Sequence, residues 1–317
     1  MSPNSWICLH PSNATQTTVS LDNRGLAYGD GFFTTMGVID GQILWLDYHQ
    51  QRLVSHAVAL QLQLDSFSLL TVLKTHAKQL QQGMLKLIIT RAEQEVRGYG
   101  YTPNTGGGSA CEIWLKSSPM AITTARSLPL ADGQFIPLQP AASAICLSSQ
   151  IACLPPTLAG LKSLNRLDNV LASGELQAIK AKTLAGTIKP SIAEGLLRDM
   201  SGQWVEGTMS NVFYQLVEAP VAKSSNRPHS QNNSNSNYLT QGQWYTPSMA
   251  QSGVAGVMRQ VIIDTLSTSN NPVIIRSLQD EDLPHLSQLF FCNALRGIMP
   301  MSSLRLLSGE VVSFEAI

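Results

Sequence analysis

The amino-acid sequence predicts a protein of mixed α/β (α+β) class that folds as two domains. Its 317 residues exceed the size at which one hydrophobic core usually stops growing. Short apolar runs typical of β-strands alternate with segments in which apolar residues recur at helical spacing. A segment at 119–135 that holds serine, proline, threonine and glycine is typical of a linker. We therefore expect an N-terminal α/β domain at 1–118 and a C-terminal domain at 136–317.

The N-terminal domain is predicted to hold two helices and a set of short strands. The helices are expected at 48–62, capped by Asp47, and at 66–82. The predicted strands lie at 6–10, 17–21, 31–39, 43–46, 84–90 and 111–115. Asp40 and Gly41, between two of these strands, are typical of a tight hairpin turn.

The C-terminal domain is predicted to combine strands with helices at 165–182 and 256–266. The strands are expected at 196–200, 203–205, 211–216, 243–245, 273–278 and 288–292. Residues 223–243 are rich in serine, asparagine and glutamine and almost free of apolar side chains. This composition is typical of a solvated, disordered insert between strands, and we assign it no catalytic role.

Charge and cysteine content argue against several classes of function. The chain has 21 basic and 21 acidic residues without a basic stripe, so nucleic acid is not the expected partner. Its five cysteines and six histidines lack the spacing of metal ligands, so we expect no metal. The N-terminus lacks a signal-peptide pattern, and no apolar run is long enough to span a membrane. We therefore expect a cytoplasmic protein that acts on a small molecule.

Lys162 is the first candidate for chemistry. It stands where a proline-containing loop gives way to a helical pattern, and an amine held partly out of water there loses its proton more readily. A neutral lysine amine can form a Schiff base with a carbonyl cofactor. Taken alone, a solvated surface lysine is the commoner interpretation.

Two further charged residues suit an anionic cofactor that contains a ring nitrogen. Arg52 lies one turn into a predicted helix, from which a guanidinium can bind phosphate through two hydrogen bonds. Glu206 lies at a predicted strand end, where a carboxylate can keep a pyridine nitrogen protonated and so make the ring an electron sink. For each residue taken alone, an ordinary surface role is the commoner interpretation.

Two turns are candidates for binding the same phosphate. Residues 252–260 form a glycine-punctuated turn that enters a helix, and free backbone N–H groups at such a point form an anion site. Residues 291–300 form a strand that breaks into small and polar residues. Many such turns bind nothing, so the order of the segments along the chain has to support the interpretation.

The sequence resembles the fold-type IV pyridoxal-phosphate enzymes, which include branched-chain and D-amino-acid aminotransferases and 4-amino-4-deoxychorismate lyases. The resembling segments are, in chain order, 22–35, Arg52, Lys162, 206–211, 256–259, Asn293 and Ala294. The resemblance implies a small N-terminal α/β domain and a larger C-terminal pseudo-barrel. It also implies the cofactor pyridoxal 5'-phosphate and a homodimer in which each active site is completed by the other copy.

Carried over segment by segment, the resemblance implies a role for each matching residue. Lys162 forms the Schiff base with the cofactor, and Glu206 contacts the pyridine nitrogen. The expected phosphate ligands are Arg52, the backbone of Val257 and Met258, and the turn of Asn293 and Ala294.

Within the family, the segments around Lys162 and at 26–35 look most like the lyases, which convert 4-amino-4-deoxychorismate to 4-aminobenzoate and pyruvate in folate biosynthesis. A substrate with two carboxylates needs cationic or hydrogen-bonding groups, for which the candidates are Arg97, Tyr99 and Arg166. Thr34 and Thr35 are candidates for proton transfer, or are simply β-branched strand residues. The alternatives are a D-amino-acid or branched-chain aminotransferase of the same fold and a non-enzymatic carrier of vitamin B6.

Overall fold

The first sheet is antiparallel and is covered by helices on one face. The computed structural model describes residues 6–10, 18–102, 110–122, 126–130, 133–184, 192–217 and 238–314. The strands of the first sheet are β1 (Trp6–His10), β2 (Gly31–Ile39), β3 (Gln42–Ile43), β4 (Gly83–Arg91) and β5 (Cys111–Pro119), in the spatial order β1-β5-β4-β2-β3. The helices of this part are α1 (Arg24–Tyr28), α2 (Leu46–Ala59) and α3 (Ser66–Leu80).

Alternation along β2 gives the sheet two different faces. Phe32, Thr34 and Met36 are fully buried, whereas Phe33 and Thr35 are partly exposed. Successive side chains of a strand point to opposite faces, so the first three lie on the face that α2 and α3 cover. The other face, with Phe33 and Thr35, is left to line a cavity.

The second sheet closes on itself as a barrel. Its eleven strands among the described residues are β6 (Arg126–Pro129), β7 (Phe135–Leu138), β8 (Ala142–Ile151), β9 (Ile192–Asp199), β10 (Trp204–Gly207), β11 (Asn211–Leu216), β12 (Tyr245–Thr246), β13 (Ile274–Ile275), β14 (Leu286–Asn293), β15 (Gly297–Arg305) and β16 (Val311–Ser313). Strands β11, β10, β9, β8, β15 and β14 form a ring, because β14 pairs with both β15 and β11. This ring is the pseudo-barrel that the resemblance implies.

Two helices accompany the barrel. Helix α4 (Leu167–Leu184) lies between β8 and β9 in the chain, and α5 (Val257–Leu266) lies between β12 and β13. Strand β14 separates two apolar clusters: Phe291 packs in a cluster with Trp204 and Tyr214, whereas Phe290 packs with Trp244 and the buried side of α5. The barrel wall therefore has apolar contacts on both of its faces.

Three features of the N-terminal part differ from the prediction. Residues 18–21 form no strand, and the five-residue helix α1 follows them. The strand predicted at 43–46 ends at Ile43, because α2 already begins at Leu46. Asp47 is not the cap: Trp45 occupies that position with φ 58°, and Asp47 lies in the first turn, where its charge favours the helix dipole.

The predicted linker and the predicted insert both contain regular structure among their described residues. Strand β6 lies inside the predicted linker at 119–135 and pairs with β7, whereas the domain limits themselves stay a prediction. Of the predicted insert, residues 223–237 lie outside the described part of the chain, and Tyr238–Thr240 form a 3-10 turn. Within the described ranges, no helix is long and apolar enough to cross a membrane.

Asp30 holds together the junction between α1 and β2. Its Oδ2 accepts hydrogen bonds of 2.9 Å from the Nε atoms of both Arg24 and Arg91. The rest of the Arg24 guanidinium donates to the carbonyls of Gly98, Tyr99 and Gly100. One carboxylate therefore fixes two buried arginines, and through Arg24 it fixes the loop that carries Tyr99.

Replacing Asp30 with asparagine leaves these two guanidinium groups without a counter-ion. The side chains of Arg24 and Arg91 are only 6% and 4% exposed. We expect Asp30→Asn to lower the free energy of unfolding by about 3 kcal/mol, because breaking a buried ion pair leaves uncompensated charge. Urea denaturation measures the loss, and Asp264→Asn, at an exposed carboxylate of α5, is the control. A loss no larger than that of the control would contradict this account of the junction.

Candidate active site

A cavity of about 530 Å³ lies between the first sheet and the barrel. Its wall takes residues from β2 and α2 on one side and from β10, α4 and α5 on the other. The lining includes most of the residues predicted from the sequence, namely Thr35, Arg52, Lys162, Arg166, Glu206, Val257, Asn293 and Ala294. Segments far apart in the chain thus meet in one place.

Lys162 is held by its backbone on both sides. Its N–H donates to Nε2 of His56 at 2.8 Å, and its carbonyl accepts from the N–H of Phe33 at 3.0 Å. The Nζ atom lies 4.6 Å from the centre of the Phe33 ring. The backbone is therefore anchored to β2 and α2, while the amine reaches the cavity.

The surroundings of Lys162 favour its neutral form. Burial, followed by the charge of the neighbouring Arg52, lowers the pKa of the amine to about 8, although the charge of Glu206 opposes this effect. A lysine with a pKa near 8 has an appreciable fraction of neutral amine at neutral pH. Lys162 therefore has the property that covalent chemistry with a carbonyl requires.

Arg52 brings a buried cation to the cavity from α2. Its Nη2 donates to the carbonyl of Ala255 at 2.7 Å, next to the start of α5. Burial, followed by the charge of Arg166, lowers the pKa of Arg52 to about 10, so the guanidinium stays charged at neutral pH. An anion bound at the start of α5 would therefore meet a fixed positive charge.

Glu206 supplies a buried carboxylate at the other end of the cavity. It is 3% exposed, and its Oε2 accepts the N–H of Val254 at 2.8 Å. Oε1 accepts a longer bond of 3.4 Å from Nδ2 of Asn169. Burial raises the pKa of Glu206, although the Val254 bond and the charges of Arg166 and Lys162 oppose that rise. A protonated ring nitrogen would give this carboxylate a cationic partner.

The first turn of α5 faces the cavity with its backbone. Gly256 is the N-cap in an extended conformation, and the N–H groups of Val257 and Met258 have no acceptor within the helix. The glycine is required, because a Cβ there would lie 1.9 Å from Oδ1 of Asn211. The side chain of Met258 is fully buried in the core, so only its backbone is available for the predicted role.

The turn of Asn293 and Ala294 forms the opposite wall. Oδ1 of Asn293 accepts the N–H groups of Leu295 and Arg296 at 3.1 and 2.8 Å. The asparagine side chain therefore stabilises its own turn, and both residues of the turn line the cavity.

Three of the predicted residues lie elsewhere. Thr34 is on the core face of β2 and its Oγ1 lies 2.9 Å from Nδ1 of His49, so it is not in the cleft. Arg97 and Tyr99 lie on an exposed loop and do not line the cavity of their own chain. Tyr99 is 84% exposed, and its ring packs edge-on against Tyr28 at 5.2 Å.

The structure adds residues that the sequence did not single out. Glu194, buried on β9, accepts hydrogen bonds from the hydroxyls of Thr208 and Ser210, at 2.5 and 2.7 Å, and from the N–H of Thr208. It thereby fixes the loop after Glu206 against the cavity. The cluster of small polar residues after Glu206 was the available signal for this loop. Nothing local in the sequence indicated Glu194.

The family model of class IV amino-transferases matches residues 31–304, and the chain therefore belongs to the class IV aminotransferase family. An aminodeoxychorismate lyase of Vibrio harveyi is 23% identical over 290 residues, covering 91% of this chain and 88% of the relative. The crystal structure of 4-amino-4-deoxychorismate lyase from Pseudomonas aeruginosa is 30% identical, with a TM-score of 0.68 and coverage of 94% and 90%. These comparisons confirm the family and the fold that the resemblance implied.

The branched-chain amino acid aminotransferase of Escherichia coli has the same fold. Its crystal structure superposes with a TM-score of 0.63 at 18% identity, covering 90% of this chain and 80% of that one. The fold alone therefore does not separate lyase from aminotransferase.

Pyridoxal 5'-phosphate is the cofactor, and the cavity fits it. Lys162 offers an amine for its carbonyl, and Glu206 offers a carboxylate for its ring nitrogen. The guanidinium of Arg52 and the backbone N–H groups at the start of α5 suit its phosphate. Oδ1 of Asn169 is buried there without a hydrogen-bond partner among the described residues. This unpaired oxygen is an acceptor that a polar group of the cofactor could use.

Two buried histidines of α2 make the protein sensitive to acid. Burial, together with the charge of Arg52, lowers the pKa of His49 and of His56 to about 3. Between pH 6.5 and 3 the unfolded chain therefore binds protons that the folded chain rejects, so stability falls as the pH falls.

We expect the free energy of unfolding to drop by about 1.4 kcal/mol per pH unit for each of the two histidines between pH 6 and 4. Urea denaturation across this range measures the slope. His49→Gln and His56→Gln should each reduce this slope by about the contribution of one histidine. A slope unchanged in both variants would show that these rings do not stay neutral in the fold.

Proposed function

We propose that this protein is a pyridoxal-phosphate-dependent lyase that converts 4-amino-4-deoxychorismate to 4-aminobenzoate and pyruvate, a step of folate biosynthesis. The observation that carries the proposal is the position of Lys162, Glu206 and Arg52 in the wall of one cavity. The 30% identity to the Pseudomonas aeruginosa lyase, against 18% to the Escherichia coli branched-chain aminotransferase, favours the lyase over the aminotransferase.

When bound, pyridoxal 5'-phosphate supplies an electron sink for the pair released at the amine-bearing carbon of the substrate. Glu206 keeps the positive charge on the ring nitrogen that this sink requires. Arg52 and the N–H groups of Val257 and Met258 hold the phosphate, supported by the turn of Asn293 and Ala294.

Lys162 moves the proton. Its neutral amine, with a pKa of about 8, takes the proton from the amine-bearing carbon. The carbon–oxygen bond at the adjacent ring carbon breaks, and the ring becomes aromatic as 4-aminobenzoate. The oxygen leaves with the electron pair of that bond as the enolate of pyruvate, which takes up a proton on its methylene carbon and becomes pyruvate. Thr35, which lines the cavity on the same strand face as Phe33, is the candidate for relaying protons.

Arg166 is the candidate ligand for a substrate carboxylate within the same chain. One of its nitrogens donates to the carbonyl of Leu161, and its Nε is buried without a partner among the described residues. Because Arg166 lines the cavity and its guanidinium is held by the Leu161 carbonyl, it is suited to bind a carboxylate there.

The assay that tests the proposal uses freshly generated 4-amino-4-deoxychorismate. We expect the protein to release 4-aminobenzoate and pyruvate in equal amounts, both measured by chromatography, and Lys162→Ala to release neither. Protein that has bound its cofactor yet forms no product would contradict the lyase. The alternative then becomes the aminotransferase, assayed with D- and branched-chain amino acids and a 2-oxo acid acceptor.

We also infer that two copies associate and share their active sites. Helix α4 exposes Leu167, Val170 and Leu171 by 79%, 61% and 70%, an apolar stripe at helical spacing. Val170 also lines the cavity, so a second copy on this stripe would lie at the cavity mouth. Arg97 and Tyr99, on the loop that Arg24 holds by hydrogen bonds, would then act in the cavity of the other copy. The cytoplasmic location stays a prediction.

Mixing two defective chains tests the shared site. We expect Lys162→Ala to be inactive and Arg97→Ala to lose about 100-fold in kcat/KM, since one charged contact to a carboxylate contributes about 2–3 kcal/mol. In a mixed dimer, one cavity combines an intact Lys162 with an intact Arg97 from the other copy. An equal mixture, unfolded and refolded together, should regain about a quarter of wild-type activity in a closed two-fold dimer.

The matched control combines both changes in one chain and mixes it with Arg97→Ala. This mixture contains no cavity with both residues intact and should show no more than the residual activity of Arg97→Ala. Failure of the first mixture to recover activity, with dimers seen by sedimentation, would show that Arg97 does not serve the other copy.

A further inference from the structure

His56 contacts Lys162 from beneath the cavity wall. It lies on α2, is 4% exposed, and packs its ring against Phe32 at a centroid distance of 5.2 Å. Its Nε2 accepts the backbone N–H of Lys162 at 2.8 Å, a contact between residues 106 positions apart in the chain. Because this N–H points into a packed region, the histidine is its hydrogen-bond acceptor in the fold.

The direction of this bond fixes the protons of the ring. A nitrogen that accepts has no proton, so a neutral His56 has its proton on Nδ1. Nδ1 lies 3.2 Å from Oγ of Ser55, and that hydroxyl donates to the carbonyl of Arg52 at 3.2 Å. A single chain of hydrogen bonds therefore runs from the amide of Lys162 through His56 and Ser55 to the backbone of Arg52.

The charges around His56 keep this chain intact. Burial is the main cause that lowers the pKa of the ring, and the positive charges of Arg52, Arg166 and Lys162 add to its effect. A protonated ring would place an N–H against the N–H of Lys162 and bring a fourth positive charge to the site. The neutral ring is therefore the form that the surroundings select.

We propose that His56 is a positioning residue for the reaction, which holds Lys162 through its backbone and ties it to the turn of α2 that carries Arg52. The consequence for turnover depends on the function proposed above. A displacement of a reacting atom by about 1 Å can cost about 100-fold in rate. The lysine amine must reach the substrate carbon while Arg52 holds the phosphate, and the Ser55–His56 chain links the segments that carry these two groups.

The test compares three substitutions with one control. His56→Leu keeps much of the volume and removes the acceptor. His56→Gln keeps an acceptor, since its Oε1 can occupy the place of Nε2. Ser55→Ala leaves the ring in place and removes the partner of Nδ1. His76→Ala on α3, a histidine outside the cavity lining, is the control.

Amide hydrogen exchange at Lys162, resolved to single residues by mass spectrometry, reports the bond directly. We expect His56→Leu to speed exchange of this amide by at least about tenfold, since the amide loses its acceptor. His56→Gln and the His76→Ala control should stay within about threefold of wild type. A second measurement labels the amines of each protein, freed of cofactor, over a range of pH. We expect the pH dependence of Lys162 labelling to change in His56→Leu alone.

Turnover gives the third measurement. We expect kcat of His56→Leu to fall about tenfold with KM within about twofold, because a positioning residue acts on the reacting geometry. His56→Gln should restore most of the rate, and Ser55→Ala should show a smaller loss. Unchanged Lys162 exchange in a folded His56→Leu protein would overturn the proposal. If His56→Leu does not fold, equal exchange and turnover in Ser55→Ala and wild type would overturn it instead.

Exchange and labelling use no substrate, so they separate this proposal from the proposed function. Faster exchange at Lys162 without any lyase activity would leave His56 as the anchor of the lysine and reject the lyase. Lyase activity with normal exchange in His56→Leu would reject the anchor and keep the lyase.

Discussion

The site depends on a short backbone pairing between the Lys162 segment and strand β2. The N–H of Phe33 donates to the carbonyl of Lys162, and the N–H of Leu164 donates to the carbonyl of Gly31, both at 3.0 Å. These bonds join the segment that leads into α4 to the first sheet. Glu206 and the start of α5 belong to the barrel side, whereas Arg52 belongs to α2. The pairing at Lys162 therefore helps to bring Glu206 and Arg52 into the wall of one cavity.

The charge of the cavity follows from this meeting of the two sheets. Arg52, Lys162, Lys86 and Arg166 line it, with Glu206 as the buried carboxylate among the lining residues. Placing several cations together out of water is costly unless anions accompany them. A phosphate and a substrate that carries carboxylates supply such anions, so the same arrangement that lowers the pKa of Lys162 also selects the chemical class of ligand.

Local patterns in the sequence predicted some elements well and others not at all. Strands 31–39 and 211–216 were predicted with the limits that the structure has, because their residue types and flanking turns are distinctive. Strands β8 and β15 were missed, because they pair in parallel with neighbours inside the sheet and are buried along continuous runs without alternation. In the site, Lys162, Arg52 and Glu206 could be found from the order of segments. His56 could not, because its contact with Lys162 joins distant parts of the chain.

The closed ring of the barrel also determines where the chain can change its length. After Val217 the described chain resumes at Tyr238 and leads to β12, which pairs with β11 outside the ring. The described residues between β11 and β12 belong to no strand of the ring and do not line the cavity. The entropy cost of closing a connection between two fixed ends rises by only about 0.6 kcal/mol for each doubling of its length. This connection is therefore a place where evolution can insert or delete sequence, and where a tag or reporter could be inserted, while the catalytic groups keep their positions.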